Sequence, residues 1–446
     1  MPPITILRGD RQGTATRATN GGGQIQTLEE QVEVMCPFDL AEGGYFYFGE
    51  SKERSPSRVQ DIRRIVKFER MPNLRTLKQI RVATLSAPYN PPLHVRGMHG
   101  LGDNLHQRAL VRQWLNAGNT VYLESSWVSV YHDLIPRGLH VIYKSSILRT
   151  QAKNALREQQ LFSTETPPRQ SRVKQIWYRA NDIRLKGSVL AAMCQSAGCD
   201  IAQADFRLPI KEEWLQEALR LMHSWGAGAS KSKSKPLMIF RPLVDRTEWS
   251  GCAARNPDHK AYAHLYNEIR EKFFVVSVAD LVPGKEWLVG YNADVDVTLH
   301  QGELTFEVLA ALTSIAALTF CSPGFAVVLS QAVNTPVCCV FGGYESSPSF
   351  SYGAKFAPYL GIDPISPCNC FLHRHNCAKE IDLNLAMPRL KEFAEDAISN
   401  RPYIAYTDAD TDADAGVHRS FLGSKDKAAA ATSQGVDTAT SVTALA

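Results

Sequence analysis

The stretch GMHGLGDNL, residues 97–105, joins glycines at Gly100 and Gly102 to an acid at Asp103. The glycines permit a tight turn and close backbone approach, and Asp103 falls at the mouth of a helix. A carboxylate there can take a proton from a hydroxyl, with His99 and His106 near it in sequence as further proton acceptors. The same acid also has a purely structural use, because Asp is a favoured helix N-cap. The turn does not carry three glycines at dinucleotide-fingerprint spacing. A second stretch, CSPGFAVVLSQAV, brings Ser322, Pro323 and Gly324 from a strand end into the first turn of a helix starting near Phe325. Its free backbone N–H groups and positive dipole end suit a diphosphate, although an ordinary βαβ crossover reads the same way.

Phosphates also attract cations. Arg241, Arg246 and Arg255 lie where the first strand of the second half opens toward a cleft, and each is equally compatible with a solvated surface. Asp294 and Asp296 form a D-x-D, but the alternating pattern around them reads as a strand edge, not a metal-diphosphate site. Cys368, Cys370 and Cys377, with His373 and His375 between them, hold enough ligand atoms for zinc. The C-x-C-x₆-C spacing lacks the C-x₂₋₄-C pairs of common structural sites, so packing with redox sensitivity is the preferred reading and no metal is expected. The acidic run at 408–414 lacks the glycine and terminal glutamate of a calcium loop.

These groups need elements to hold them. From Leu93 onward, strand-like LHVRG, NTVYLES and LHVIYK alternate with helix-like HQRALVRQWLNAG and SWVSVYHDL. Helices SVLAAMCQSAG and EEWLQEALRLMHSW follow, then GAGASKSKSKP, which reads as a linker. Beyond it PLMIF, FVVSVA, ALTFCS and VCCVF alternate with AYAHLYNEIREKF, TFEVLAALTSI and FAVVLSQAV. Strand, helix, strand in this order predicts right-handed parallel crossovers and an α/β, doubly wound fold in each half. The expected divisions are 1–88, an N-terminal extension of unknown role with strands at QVEVM and GGYFYF; 89–225 and 237–405, two Rossmann-like domains; 226–236, the linker; and 406–446, a disordered tail.

Composition narrows the function. The 446 residues are 44% hydrophobic, enough for two cores, and the formal charge of +4 is too small for a dedicated nucleic-acid binder. No run of eighteen apolar residues and no basic-then-apolar opening appears, so a cytoplasmic protein, or one peripheral to the inner membrane, is expected. The ten cysteines are scattered, several within apolar runs, which argues against a disulfide framework.

Taken together, GLGDNL and NTPVCCVFGG resemble the heptosyltransferase family of lipopolysaccharide synthesis, glycosyltransferase family 9. Its first half carries a GLGD turn with a catalytic Asp, and its second half a D-S-G-P-x-H turn, a helix, G-T-P-V and a strand ending F-G. Further stretches, SVLAAMCQSAGCDIAQADFRLPI, GELTFEVLAAL and SPCNCFLHRHNC, extend the resemblance over about residues 93–400. SPGF replaces the family's second turn, so its Asp and His are absent. The resemblance implies a GT-B fold, two Rossmann-like domains facing a cleft, with the acceptor largely on the first and the nucleotide on the second. It implies metal-independent, inverting transfer from a nucleotide-sugar donor, with Asp103 as base and His99 beside it. Donor contacts are expected from Gly100, Gly102, Arg241, Arg255, Glu307, Ser322, Gly324 and Phe325. The expected acceptor is a surface glycan or lipopolysaccharide-type saccharide. Two alternatives stay open: transfer to hydroxylated bases in DNA, raised by the basic stretch Arg63–Arg81, and a non-catalytic nucleotide- or glycan-binding protein.

Overall fold

The computed structural model describes residues 91–400 except 147, 228–234, 248–254, 291–292 and 372–376, together with the backbone of five strands before residue 91. Those early strands are β1 (Ile4–Leu7) paired antiparallel with β2 (Gln31–Val34), and an antiparallel set of β3 (Tyr45–Gly49), β4 (Ile62–Lys67) and β5 (Arg81–Ala83). The expected strands at QVEVM and GGYFYF are β2 and β3. The side chains of the basic stretch, most of the linker and the tail 406–446 lie outside the described residues.

The first parallel sheet contains β6 (Leu93–Arg96), β7 (Val121–Ser125), β8 (Leu139–Tyr143) and β9 (Arg172–Gln175), in the order β8-β7-β6-β9. Helix α1 (Leu101–Asn116) follows β6, while α2 (Arg149–Arg157), α3 (Ala180–Lys186), α4 (Val189–Ala197) and α5 (Glu212–Ser224) complete this half. In the segment SWVSVYHDL, expected as a helix, Ser129–Tyr131 forms a short 3-10 turn, and a second one, Ile135–Arg137, closes at Gly138, φ 100°, just before β8.

The second sheet is six-stranded and parallel. Its members are β10 (Leu237–Phe240), β12 (Phe274–Val278), β14 (Val297–Leu299), β15 (Leu318–Cys321), β16 (Val337–Val340) and β17 (Tyr359–Ile362), ordered β14-β12-β10-β15-β16-β17. That order is the dinucleotide-fold order, and the first sheet repeats its opening portion. A short antiparallel pair, β11 (Val244–Arg246) and β13 (Glu286–Leu288), stands beside it. The helices are α6 (His259–Arg270), α7 (Phe306–Ile315), α8 (Phe325–Ala332) and α9 (Leu383–Ser399). Strands buried on both faces, such as LMIF, LTFC and VCCV, are what a sheet covered by helices on each side requires.

The two halves are the expected α/β GT-B arrangement, and apolar packing joins them. One cluster runs from Val95 and Leu123 through Leu105 and Ala109 of α1 to Val327 of α8 and Phe341. A second, built on Phe240, Tyr262, Leu265 and Phe320, fills the far side of the second sheet. Among the described residues no helix is long and apolar enough to cross a membrane.

Candidate active site

In a doubly wound sheet, the strands on either side of the switch point send their connections in opposite directions and leave a crevice at their carboxyl ends. In the first sheet those strands are β6 and β9, and in the second β10 and β15. The sequence motifs sit at three of these strand ends, those of β6, β10 and β15.

The first turn is held by a buried polar network. Asn104 Nδ2 donates to Gly100 O at 2.8 Å and Met98 O at 3.1 Å, and the Asn104 amide also reaches Gly100 O at 2.9 Å. Asn104 Oδ1 in turn accepts from Ser125 Oγ at 2.7 Å, Gln107 Nε2 at 2.8 Å and Tyr131 Oη at 2.9 Å. Gln107 Oε1 closes the loop by accepting from the Met98 amide at 2.9 Å. These bonds start α1 at Leu101, several residues earlier than expected, so Gly102 and Asp103 are already helical. The N-cap is Gly100, and it makes no side-chain cap bond. Asp103 therefore does not cap the helix.

Its carboxylate is engaged elsewhere. Tyr178 Oη donates to Asp103 Oδ1 at 2.8 Å, and a Cβ on Gly100 would come within 2.7 Å of Oδ2. Burial pushes the Asp103 carboxyl up to about 6, against the Tyr178 hydrogen bond and the Arg255 charge, which lower it. That is the range of a side chain able to exchange protons near neutral pH.

The second turn faces the first. Gly324 has φ 155° and ψ −158°, a conformation open essentially to glycine, and precedes α8 without any side-chain cap bond. A Cβ on Gly102 would lie 3.2 Å from Phe325 Cα, so the first turns of α1 and α8 touch. Arg241, at the end of β10, puts its guanidinium 5.1 Å from the centre of the Phe325 ring and donates to Val278 O at 2.7 Å. Arg255 Nε donates to the buried Glu345 at 2.7 Å. Burial works to lower the Arg255 pKa, but the Glu345 carboxylate overrides it and holds the value above the ordinary one.

A cleft of about 480 Å³ lies over these groups. It is lined by Gly100, Gly102, Asp103, Arg241, Arg255, Ser322, Gly324 and Phe325 among the predicted residues. His99 and Glu307 are not among its lining residues. His99 Nδ1 is buried with no hydrogen-bond partner among the described residues, and burial, then the Lys144 charge, lowers its pKa. The Glu307 carboxylate accepts from Ser129 Oγ. His106 is buried against Phe206, ring centres 5.1 Å apart, and burial lowers its pKa to about 3. It thus lines the cleft as a neutral ring and not on a solvated face. Nothing is described of the Arg246 side chain.

Sequence reasoning missed several groups. Tyr178 is distant from the motifs in the chain and carries no motif of its own, and Glu345, two residues past NTPVCCVFGG, drew no role from its pattern. On one side of the cleft, α2 bonds to the second half: Lys153 Nζ reaches Gly302 O at 2.9 Å, Arg157 reaches Leu304 O at 3.0 Å and Arg149 reaches Asp280 Oδ1 at 2.9 Å. Arg184 of α3 joins the halves elsewhere, donating to Asn369 O at 2.7 Å and Cys370 O at 2.5 Å. The Sγ atoms of Cys368, Cys370 and Cys377 lie within 4.8 Å of one another, so three thiolates could hold a borderline cation there. His373 and His375 fall outside the described residues. The D-x-D carboxylates are used within the second half: Asp296 Oδ2 accepts from the Val275 amide at 2.7 Å and Asp294 pairs with Arg270.

No protein-family profile and no curated protein matches this chain. Among solved structures, the chain is similar to the Escherichia coli ADP-heptose lipopolysaccharide heptosyltransferase II, at 15% identity over 68% of this chain and 99% of that one, with a TM-score of 0.42. It is similar to the glycosyltransferase family 9 protein of Veillonella parvula, at 14% identity over 61% and 85%, TM-score 0.40. It is also similar to the E. coli dodecameric iron-containing heptosyltransferase TibC in complex with ADP-D-β-D-heptose, at 12% identity over 86% and 89%, TM-score 0.43.

Proposed function

We propose that this chain is a glycosyltransferase that moves a sugar, with inversion, from a nucleotide-sugar donor to a hydroxyl of a glycan or glycolipid. One observation carries the reading. A carboxylate with a raised pKa, on the first turn of α1, stands beside the open N-terminus of α8 in one cleft at the switch points of two sheets. Asp103 takes the acceptor proton as the acceptor oxygen bonds to the anomeric carbon. The bond from that carbon to the donor phosphate breaks on the opposite side, and the diphosphate leaves with the electron pair. Amides at the start of α8 and the Arg241 guanidinium stabilise the departing charge. No covalent intermediate is needed, and no step of this reading passes through a metal. An ion on Cys368, Cys370 and Cys377 would brace the turn that Arg184 holds.

The test is a thermal-shift screen against ADP-, UDP-, GDP- and CMP-sugars, followed by product analysis with the donor that binds. A ligand selective for the folded state raises its apparent stability. One nucleotide sugar is expected to stabilise the chain and to be consumed in the presence of a saccharide acceptor. Stabilisation by none of the four overturns the reading.

A further inference from the structure

Tyr178 stands at the carboxyl end of β9, the strand beside β6 at the first switch point. Its backbone is fixed on both sides. The Ile176 amide bonds Arg96 O at 3.1 Å, continuing the ladder, and the Trp177 amide reaches Ser196 Oγ at 3.3 Å. The Arg179 amide is taken by Asp182 Oδ2 at 2.8 Å in the capping box of α3. The ring packs against the apolar cluster that joins the two halves. The hydroxyl carried on this support donates to Asp103 Oδ1 at 2.8 Å.

We propose that Tyr178 is a positioning residue for Asp103: its hydroxyl fixes Oδ1 and turns Oδ2, against the side-chain-free Gly100, toward the incoming acceptor hydroxyl. The inference rests on the role proposed above for Asp103. It adds the residue that sets the orientation and the protonation range of that base. Burial alone raises a carboxyl, while a hydrogen bond donated to the charged form lowers it. With the Arg255 charge lowering it and the Glu345 charge raising it, Asp103 stands at about 6, and without the hydroxyl, burial would be opposed by Arg255 alone.

The experiment is a carbon-13 titration of the full chain labelled at aspartate side-chain carboxyls, with the Asp103 signal identified by its loss in Asp103→Asn. Tyr178→Phe keeps the ring and removes only the oxygen. Its Asp103 midpoint should move up by roughly one unit. With a donor in hand, the acid limb of kcat/KM should move up in parallel, with kcat reduced and donor KM unchanged. A single 3-fluorotyrosine at position 178, a more acidic donor, should move the midpoint down and also serves if the Phe variant does not fold. A midpoint unmoved in either folded variant overturns the inference. If the midpoint moves but Asp103→Asn still turns over normally, the Tyr178–Asp103 coupling stands and the base assignment is what fails.

Discussion

The starts of α1 and α8 are the same device used for opposite purposes. Each follows a central parallel strand at a switch point, each has glycine at the N-cap, and neither has a side-chain cap bond. In α1 the third helical residue is Asp103, so the positive end of the helix is answered by the chain's own carboxylate. In α8 the first turn has no acid, and a Cβ on Gly324 would meet nothing within 4 Å. One helix end is occupied and the other is open to a ligand. In the proposed transfer, the acid at the third helical position of α1 and its absence from the first turn of α8 separate a proton acceptor from an anion cradle.

The strongest way to break this contrast is Asp103→Asn. It removes the proton acceptor while keeping size and the bond from Tyr178, and a positioned general base contributes about 10²–10⁴-fold to rate. Turnover measured under single-turnover conditions should fall by about that factor, with nucleotide binding by calorimetry unchanged. For the unaltered chain, activity should be lost as pH falls through about 6, where Asp103 takes up its proton, and that limb should vanish from the residual activity of the variant. Near-normal turnover would reduce Asp103 to a dipole-compensating residue on α1.

The next effect belongs to the open helix end. Arg241→Ala removes the cation lying over Phe325, and hydrogen bonds to charged groups are worth about 1.5–3 kcal/mol, so nucleotide affinity should weaken roughly 10- to 100-fold. Unchanged affinity in calorimetry would put the diphosphate elsewhere.

Much of this was legible in the chain itself. Alternating strands and helices announced both doubly wound halves, and the glycines announced both turns, because these are short-range patterns. What the sequence hid was long-range. Asp103, from its own turn, read more readily as a helix cap until the bonds of Asn104 to Gly100 O moved the helix start to Leu101. His106 read as a further proton acceptor near the turn, because helical periodicity does not show that Phe206 covers it. Tyr178 meets Asp103 across 75 residues and Arg255 meets Glu345 across 90, and no local pattern marks either pair. Glu307 and His99 fell near the right turns in sequence, yet neither lines the cleft.

A milder substitution probes the contact between the two helix starts. Gly102→Ala adds a Cβ 3.2 Å from Phe325 Cα, close enough that one backbone must give way. Gly102 sits in ordinary helix, so the effect is free of the backbone strain that any side chain at Gly324 would bring. Overpacking of this kind costs about 1–3 kcal/mol, so thermal midpoint and donor affinity should fall together. A variant as stable as its parent, with unchanged donor binding, would show that α1 and α8 need not touch to form the site.

The smallest expected effect comes from metal removal. In the proposed transfer the proton goes to Asp103 and the developing phosphate charge meets α8 amides and Arg241. A cation that did either job would be worth several kcal/mol to the transition state. Treating the protein with a strong chelator should therefore leave turnover per folded molecule within about twofold of its starting value. The thiols of Cys368, Cys370 and Cys377 are the group through which the chelator could still act, and their backbone is what Arg184 grips from the other half. Loss of an ion there should appear as a lower thermal midpoint, with the acid limb near pH 6 unmoved, because that limb belongs to Asp103. A large loss of turnover at constant folded fraction, restored by a divalent cation, would move the charge stabilisation from the start of α8 to a metal.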